Sequence, residues 1–137
     1  LYECIESHDK IDRIMIDYNC GYESSQLLSI QNLCESFPLL LSKLRWIEEP
    51  TLPQFSSQWS KNVCIDLAAG ENHHGLESMK KLIDDNVMYI MPDFGRTLPI
   101  SNFPTLLSYA KLSKSKITPL RSLFFIFILF NCENLIL

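Results

Sequence analysis

The sequence predicts an α/β fold built on a parallel sheet: a partial (β/α) barrel of the TIM type, with about five parallel strands and helices outside them. Two features of the 137 residues point there. Short apolar runs alternate with helical segments in the order β-α-β-α-β-α-β-α-β, as in sheets whose strands are buried on both faces. Three of those runs then close on an acid, in RIMIDYN (13–19), LRWIEEP (44–50) and VCIDLAAGEN (63–72), with a fourth acid in VMYIMPD (87–93). Asp17, Glu48, Glu71 and Asp93 are spaced 31, 23 and 22 residues apart, one acid per strand-plus-helix unit.

The elements follow in order. Residues 1–11 are mixed and read as the close of a helix, after which Arg13 to Asp17 has the β-branched character of a buried strand. Beyond the turn YNCGYESS, Ser25 to Phe37 carries a fair helical stripe of Leu27, Leu28, Ile30, Leu33 and Cys34, interrupted by Pro38. Ser36 is placed to cap a second short helix, Leu39 to Lys43. Leu44 to Ile47 is the second strand, stopped by Pro50, and TLPQFSSQWSKN reads as a loop with little periodicity. Val63 to Ala69 is the third strand. Gly75 to Asn86 is a helix with Leu76, Met79, Leu82 and Ile83 on one face and Lys80, Lys81, Asp84 and Asp85 outward. Val87 to Met91 is the fourth strand, Phe103 to Leu112 a helix with Pro104 in its first turn, and Lys116 to Thr118 opens a fifth strand.

Composition narrows the function. With 12 basic and 16 acidic residues, a net charge of −4 and no Lys/Arg stripe, nucleic acid is excluded as a partner, and a small molecule fits better. Five Cys (4, 20, 34, 64 and 132) without Cys-x-x-Cys spacing argue for free thiols in a reducing, cytoplasmic setting. The longest apolar run, Leu123 to Phe130, is eight residues, too short for a membrane anchor. No secretory signal is visible in LYECIESHDK. Residues 120–137 differ in character from residues 1–119 and read as a divergent apolar tail on a partial barrel.

Ligand sites in parallel α/β folds lie at the C-terminal ends of the strands, where all four acids fall. Four glycines (21, 70, 75 and 95) form neither G-x-G-x-x-G nor G-x-x-x-x-G-K, so a phosphate-cradling doubly wound fold gives way to the barrel. Asp17, Glu48 and Glu71 brought to one point would repel one another unless a cation neutralised them, and all-oxygen ligation favours Mg²⁺. For a single strand-end acid, capping the next helix or meeting solvent is the commoner fate. Three in register weigh the other way. His73 and His74 read as loop residues, one at the pocket mouth and one solvated. Trp46, Trp59, Cys20 and Cys64 read as packing groups, and Lys80 and Lys81 as a solvated helix face.

Together IDYN, WIEEP, AAGEN and MPD, in this order, resemble the C-terminal barrel of the enolase superfamily, in its mandelate racemase and acid-sugar dehydratase branch, over roughly residues 10–119. The resemblance implies that Asp17, Glu48 and Glu71 are Mg²⁺ ligands, with Asn19 a polar neighbour in the catalytic site. It makes Asp93 the partner of a catalytic His on the next strand. The implied reaction is abstraction of a proton α to the carboxylate of a hydroxy or sugar acid, with Mg²⁺ stabilising the enediolate. Racemisation or loss of a β-hydroxyl would follow. The family also implies a homo-oligomer for the full-length protein.

The chain departs from the pattern at both bases. KITPLRS puts Leu120 or Arg121 where the His belongs, and GRTLPI lacks the usual Gly-Gly. Only sixteen residues precede Asp17, leaving no place for the Lys-x-Lys strand end, the earlier strands or the capping domain. The expectation is a fragment of such an enzyme, with a catalytically inactive truncated remnant as the alternative. About five of eight strands would leave exposed edges, so the isolated chain is expected to aggregate or need a partner.

Overall fold

A computed structural model of the chain describes residues 12–63 and 65–118. The expected helix over 1–11, the position of Cys64 and the tail over 120–137 lie outside the described residues. Among the described residues are ten α-helices and β-strands: β1 (Ile14–Asp17), α1 (Leu27–Ser36), α2 (Pro38–Lys43), β2 (Leu44–Glu48), α3 (Trp59–Asn62), β3 (Leu67–Ala69), α4 (Leu76–Asp84), β4 (Tyr89–Ile90), α5 (Phe103–Ala110) and β5 (Lys116–Ile117). Hydrogen bonding orders the strands β1-β2-β3-β4-β5 in one sheet. The β1/β2, β2/β3 and β4/β5 pairs are parallel, giving the α/β class that the alternating pattern predicts. The chain divides into two units, Leu1–Ala68 and Ala69–Leu137.

In the first unit β1 pairs with β2 from Ile14↔Leu44 to Asp17↔Glu48, with a register shift between Ile14 and Met15 that leaves Arg45 as the extra residue. β2 continues onto β3 through Ile47↔Leu67 and Glu48↔Ala68. Leu27, Ile30, Leu40, Ile47, Trp59 and Val63 are buried here. Two expectations change. Residues 53–62 are not an open loop: a 3₁₀ segment, Pro53–Gln58, runs into α3, anchored by Trp59, which is fully buried with its indole N–H donating to Thr51 Oγ1 at 2.7 Å. One apolar anchor replaces the stripe a longer helix would show. Ser36 does not cap α2 either; its hydroxyl donates back to the Asn32 carbonyl at 2.8 Å, and Pro38 at the first helical position needs no donor partner.

In the second unit α4 buries Met79, Leu82 and Ile83, as its apolar stripe predicts. It ends in a Schellman motif: Asn86 takes φ +62°, its N–H bonds the Ile83 carbonyl at 3.0 Å, and the Val87 N–H bonds the Leu82 carbonyl at 3.0 Å. Along the helix surface, Lys80 pairs with Glu77 at 2.8 Å and Lys81 with Asp85 at 2.5 Å. Leu98, Phe103, Leu106 and Ala110 are buried around α5, and Phe103 meets Phe94 edge-on at 5.1 Å between centroids. The third and fourth strands are shorter than the apolar runs suggest, because Val63 closes α3 and Val87 belongs to the helix stop.

Candidate active site

The ends of β1 and β2 are joined beyond the strands themselves. Tyr18 N–H bonds the Glu48 carbonyl at 3.0 Å, Cys20 N–H the Glu49 carbonyl at 2.7 Å, and Tyr22 N–H the Pro50 carbonyl at 3.1 Å, after which Tyr22 and Thr51 form a parallel bridge. Three residues here adopt left-handed backbone: Asn19 (φ +47°), Cys20 (φ +59°) and Glu49 (φ +39°). Such conformations are uncommon outside glycine and mark a turn over-determined by its surroundings. Here the surroundings are the hydrogen bonds just named.

Asp17 and Glu48 are register partners at the last position of their strands. Neighbouring strands lie about 4.8 Å apart and register partners share a face, so the two carboxylates extend from adjacent positions of one face. Met15, 55% exposed, and Trp46 occupy that face one step back, while Ile16 and Ile47 occupy the other. Two adjacent carboxylates of like charge are unfavourable alone and suited to a hard cation. Asn19 is where the resemblance puts a polar neighbour: its backbone N–H donates to Asp17 Oδ1 at 2.8 Å and its Nδ2 to Oδ2 at 3.0 Å. Glu48 Oε2 accepts from the Trp46 indole N–H at 3.3 Å. Trp46 thus orients the Glu48 carboxylate as well as packing.

In the second unit, Glu71 lies two residues beyond β3. Its Oε1 accepts from Asn72 Nδ2 at 3.4 Å, and its Oε2 is 3.9 Å from an Arg96 guanidinium nitrogen that also donates to the Glu71 carbonyl. Asp93 follows β4 and shapes its own loop. Its carboxylate accepts the Gly95 N–H at 2.8 Å, and its carbonyl accepts the N–H groups of Arg96, Thr97 and Leu98 at 3.1, 2.8 and 3.1 Å. The position at which the family's His is expected, held in this chain by Leu120 or Arg121, lies outside the described residues. His73 is buried rather than at a pocket mouth, with Nδ1 3.4 Å from Ser78 Oγ, and His74 is exposed as expected. Among the described residues no group of three or more His, Cys, Asp or Glu is gathered closely enough to hold a metal. The fit to a cation rests on the oxygen donors and on the Asp17–Glu48 register.

Sequence reading missed two residues. Glu49, the second acid of the Glu-Glu-Pro, is fully buried, with Cys20 Sγ 3.8 Å from its Oε2. Arg96 reads in sequence only as part of a loop, although it is the one basic residue between the fourth strand and the next helix. No helix among the described residues is long and apolar enough to cross a membrane.

A parallel α/β sheet with carboxylates at the C-terminal ends of its strands defines the class of protein. A family model described as enolase C-terminal domain-like matches residues 5–120, and the chain belongs to that family. Among solved structures it is similar to a racemase from Streptomyces coelicolor crystallised with bound magnesium. That pair shares 20% identity at a TM-score of 0.67, over 79% of this chain and 32% of the other. It is also similar to the L-talarate/galactarate dehydratase of Salmonella typhimurium, with 21% identity and a TM-score of 0.70 over 88% of this chain and 31% of that one. The L-talarate dehydratase of Polaromonas sp., complexed with Mg and L-glucarate, has 23% identity and a TM-score of 0.66 over 80% and 30%. At these identities the likeness is one of fold. No curated protein matches the chain. The chain spans about a third of the length of the structures it matches.

Proposed function

We propose that the chain carries the metal-ligand strand ends of a Mg²⁺-dependent enzyme that abstracts a proton α to the carboxylate of a hydroxy or sugar acid, as a dehydratase or racemase. The observation that carries this reading is the register pairing of Asp17 and Glu48 at the ends of β1 and β2. Glu71 is assigned as third ligand from the family's Gly-Glu-Asn string and its position just past β3. Bound Mg²⁺ would supply Lewis-acid stabilisation where negative charge develops on the acid. Asn19 orients the Asp17 carboxylate through two hydrogen bonds and Trp46 orients Glu48 through one. The substrate class, a small hydroxy or sugar acid, rests on the dehydratases of similar fold, and cytoplasmic action without nucleic acid or membrane rests on the cysteine spacing, the net charge of −4 and the short apolar runs. Residues 1–119 are the partial barrel in this reading and 120–137 a divergent apolar tail.

A second reading is favoured by Asp93. Its carboxylate is engaged by the Gly95 N–H in its own turn, and Leu120 and Arg121 stand where a His is expected. A chain with ligands and no base binds Mg²⁺ without turning over acid. The two readings separate in one assay: Mg²⁺ binding with formation of a keto acid from galactarate or talarate supports the enzyme, and binding without turnover supports the inactive remnant. Absence of Mg²⁺ binding contradicts both.

A further inference from the structure

We propose that Arg96 is a positioning residue that clamps the Glu71 turn to the loop after β4, so that the Glu71 carboxylate is presented preformed to a divalent cation. The inference rests on the reading of Glu71 as a Mg²⁺ ligand and adds a residue that neither the motifs nor the family match assigns.

Both ends of the clamp are held. On one side the turn starts at Gly70, with φ +151°, where an added Cβ would lie 2.5 Å from the carbonyl carbon and oxygen of Met91, and closes through the His73 N–H to the Gly70 carbonyl at 3.2 Å. Gly70 is therefore fixed against the strand backbone. On the other side Arg96 is presented by a loop that Asp93 organises with its carbonyl and carboxylate, and that Thr97 closes by placing its Oγ1 3.1 Å from the Asp93 N–H. Between them the guanidinium donates to the Glu71 carbonyl.

The distances decide between two roles for the charge. At 3.9 Å the guanidinium is beyond hydrogen-bond distance of Glu71 Oε2, while it does bond the backbone carbonyl, so it fixes the residue and leaves the carboxylate oxygens for a cation. An ion pair this loose and this exposed, with Arg96 at 52%, couples weakly, whereas a hydrogen bond from a charged donor to a backbone carbonyl is the stronger contact. Tethering outweighs competition with the metal.

Arg96→Gln tests this in the full chain with two readouts. In the metal-free protein the His73 amide, followed by hydrogen exchange, should exchange about tenfold faster, with the amides of α4 unchanged as an internal control for folding. By calorimetry with Mg²⁺ alone, affinity should fall about tenfold. An unchanged His73 amide, or a Mg²⁺ affinity equal to or tighter than that of the unmodified chain, overturns the proposal. Glu71→Gln separates this failure from that of the ligand assignment: equal Mg²⁺ affinity for Glu71→Gln and the unmodified chain removes Glu71 from the ligand set, and the presenting role of Arg96 with it, whatever the His73 amide does.

Discussion

Asp17 and Glu48 end two adjacent parallel strands in register, one carboxylate beside the other on the same face. Their neighbours secure them differently: Asn19 grips Asp17 through both carboxylate oxygens, and Trp46 donates a single bond to Glu48. Asn19→Ala should therefore reduce Mg²⁺ affinity more than Trp46→Phe does. The expected loss is about tenfold for Asn19→Ala, in the range for outer partners of metal ligands. Calorimetric titration of the two variants checks the order.

Trp59 is the anchor of the segment that the sequence left without structure. Thr51→Val leaves its buried indole N–H without the Thr51 hydroxyl and should cost about 1–3 kcal/mol, read by urea denaturation. Trp59→Ala removes the anchor itself and should cost about 3–5 kcal/mol.

Gly70 tests the backbone of the second unit. A methyl group there meets the Met91 backbone at 2.5 Å, on a main chain already at φ +151°, so Gly70→Ala forces the backbone to shift. Overpacking of this kind costs about 1–3 kcal/mol or more, and thermal denaturation should show it.

Tyr109 gives a pH signature. Its hydroxyl donates to Asp84 Oδ1 at 2.8 Å, and that bond, with desolvation and the charge of Asp84, raises its pKa above 10.0 against an opposing effect of Lys80. A phenol whose folded pKa is raised keeps its contribution to stability below the unfolded value and loses it as pH climbs through the folded one. The effect is confined to alkaline solution. In a spectroscopic titration of phenolate formation, Asp84→Asn should move the Tyr109 step down, and Tyr109→Phe should remove it.

Much of this was legible in the sequence because it depends on local pattern. The apolar run ending at Asp17, the Met79/Leu82/Ile83 stripe and Asn86 as a helix stop each need only a few neighbouring residues to declare themselves. What stayed hidden depends on partners far along the chain or on backbone conformation. The 53–62 segment shows no stripe because a single indole holds it. Glu49 is both buried and left-handed in backbone, and nothing in Glu-Glu-Pro announces either. Arg96 reaches Glu71 across 25 residues, through a loop whose shape is set by Asp93. Asp93 itself could be placed at a strand end but not given this structural task, since an acid in sequence carries no sign of which amides it will accept.

If the strand-end carboxylates form a Mg²⁺ site, isothermal titration of the chain with Mg²⁺, beside Glu48→Gln and Asp17→Asn, will register it. Binding should be measurable and should fall by tenfold or more in each variant, about 1.4 kcal/mol per factor of ten. Equal affinity in all three proteins would contradict it.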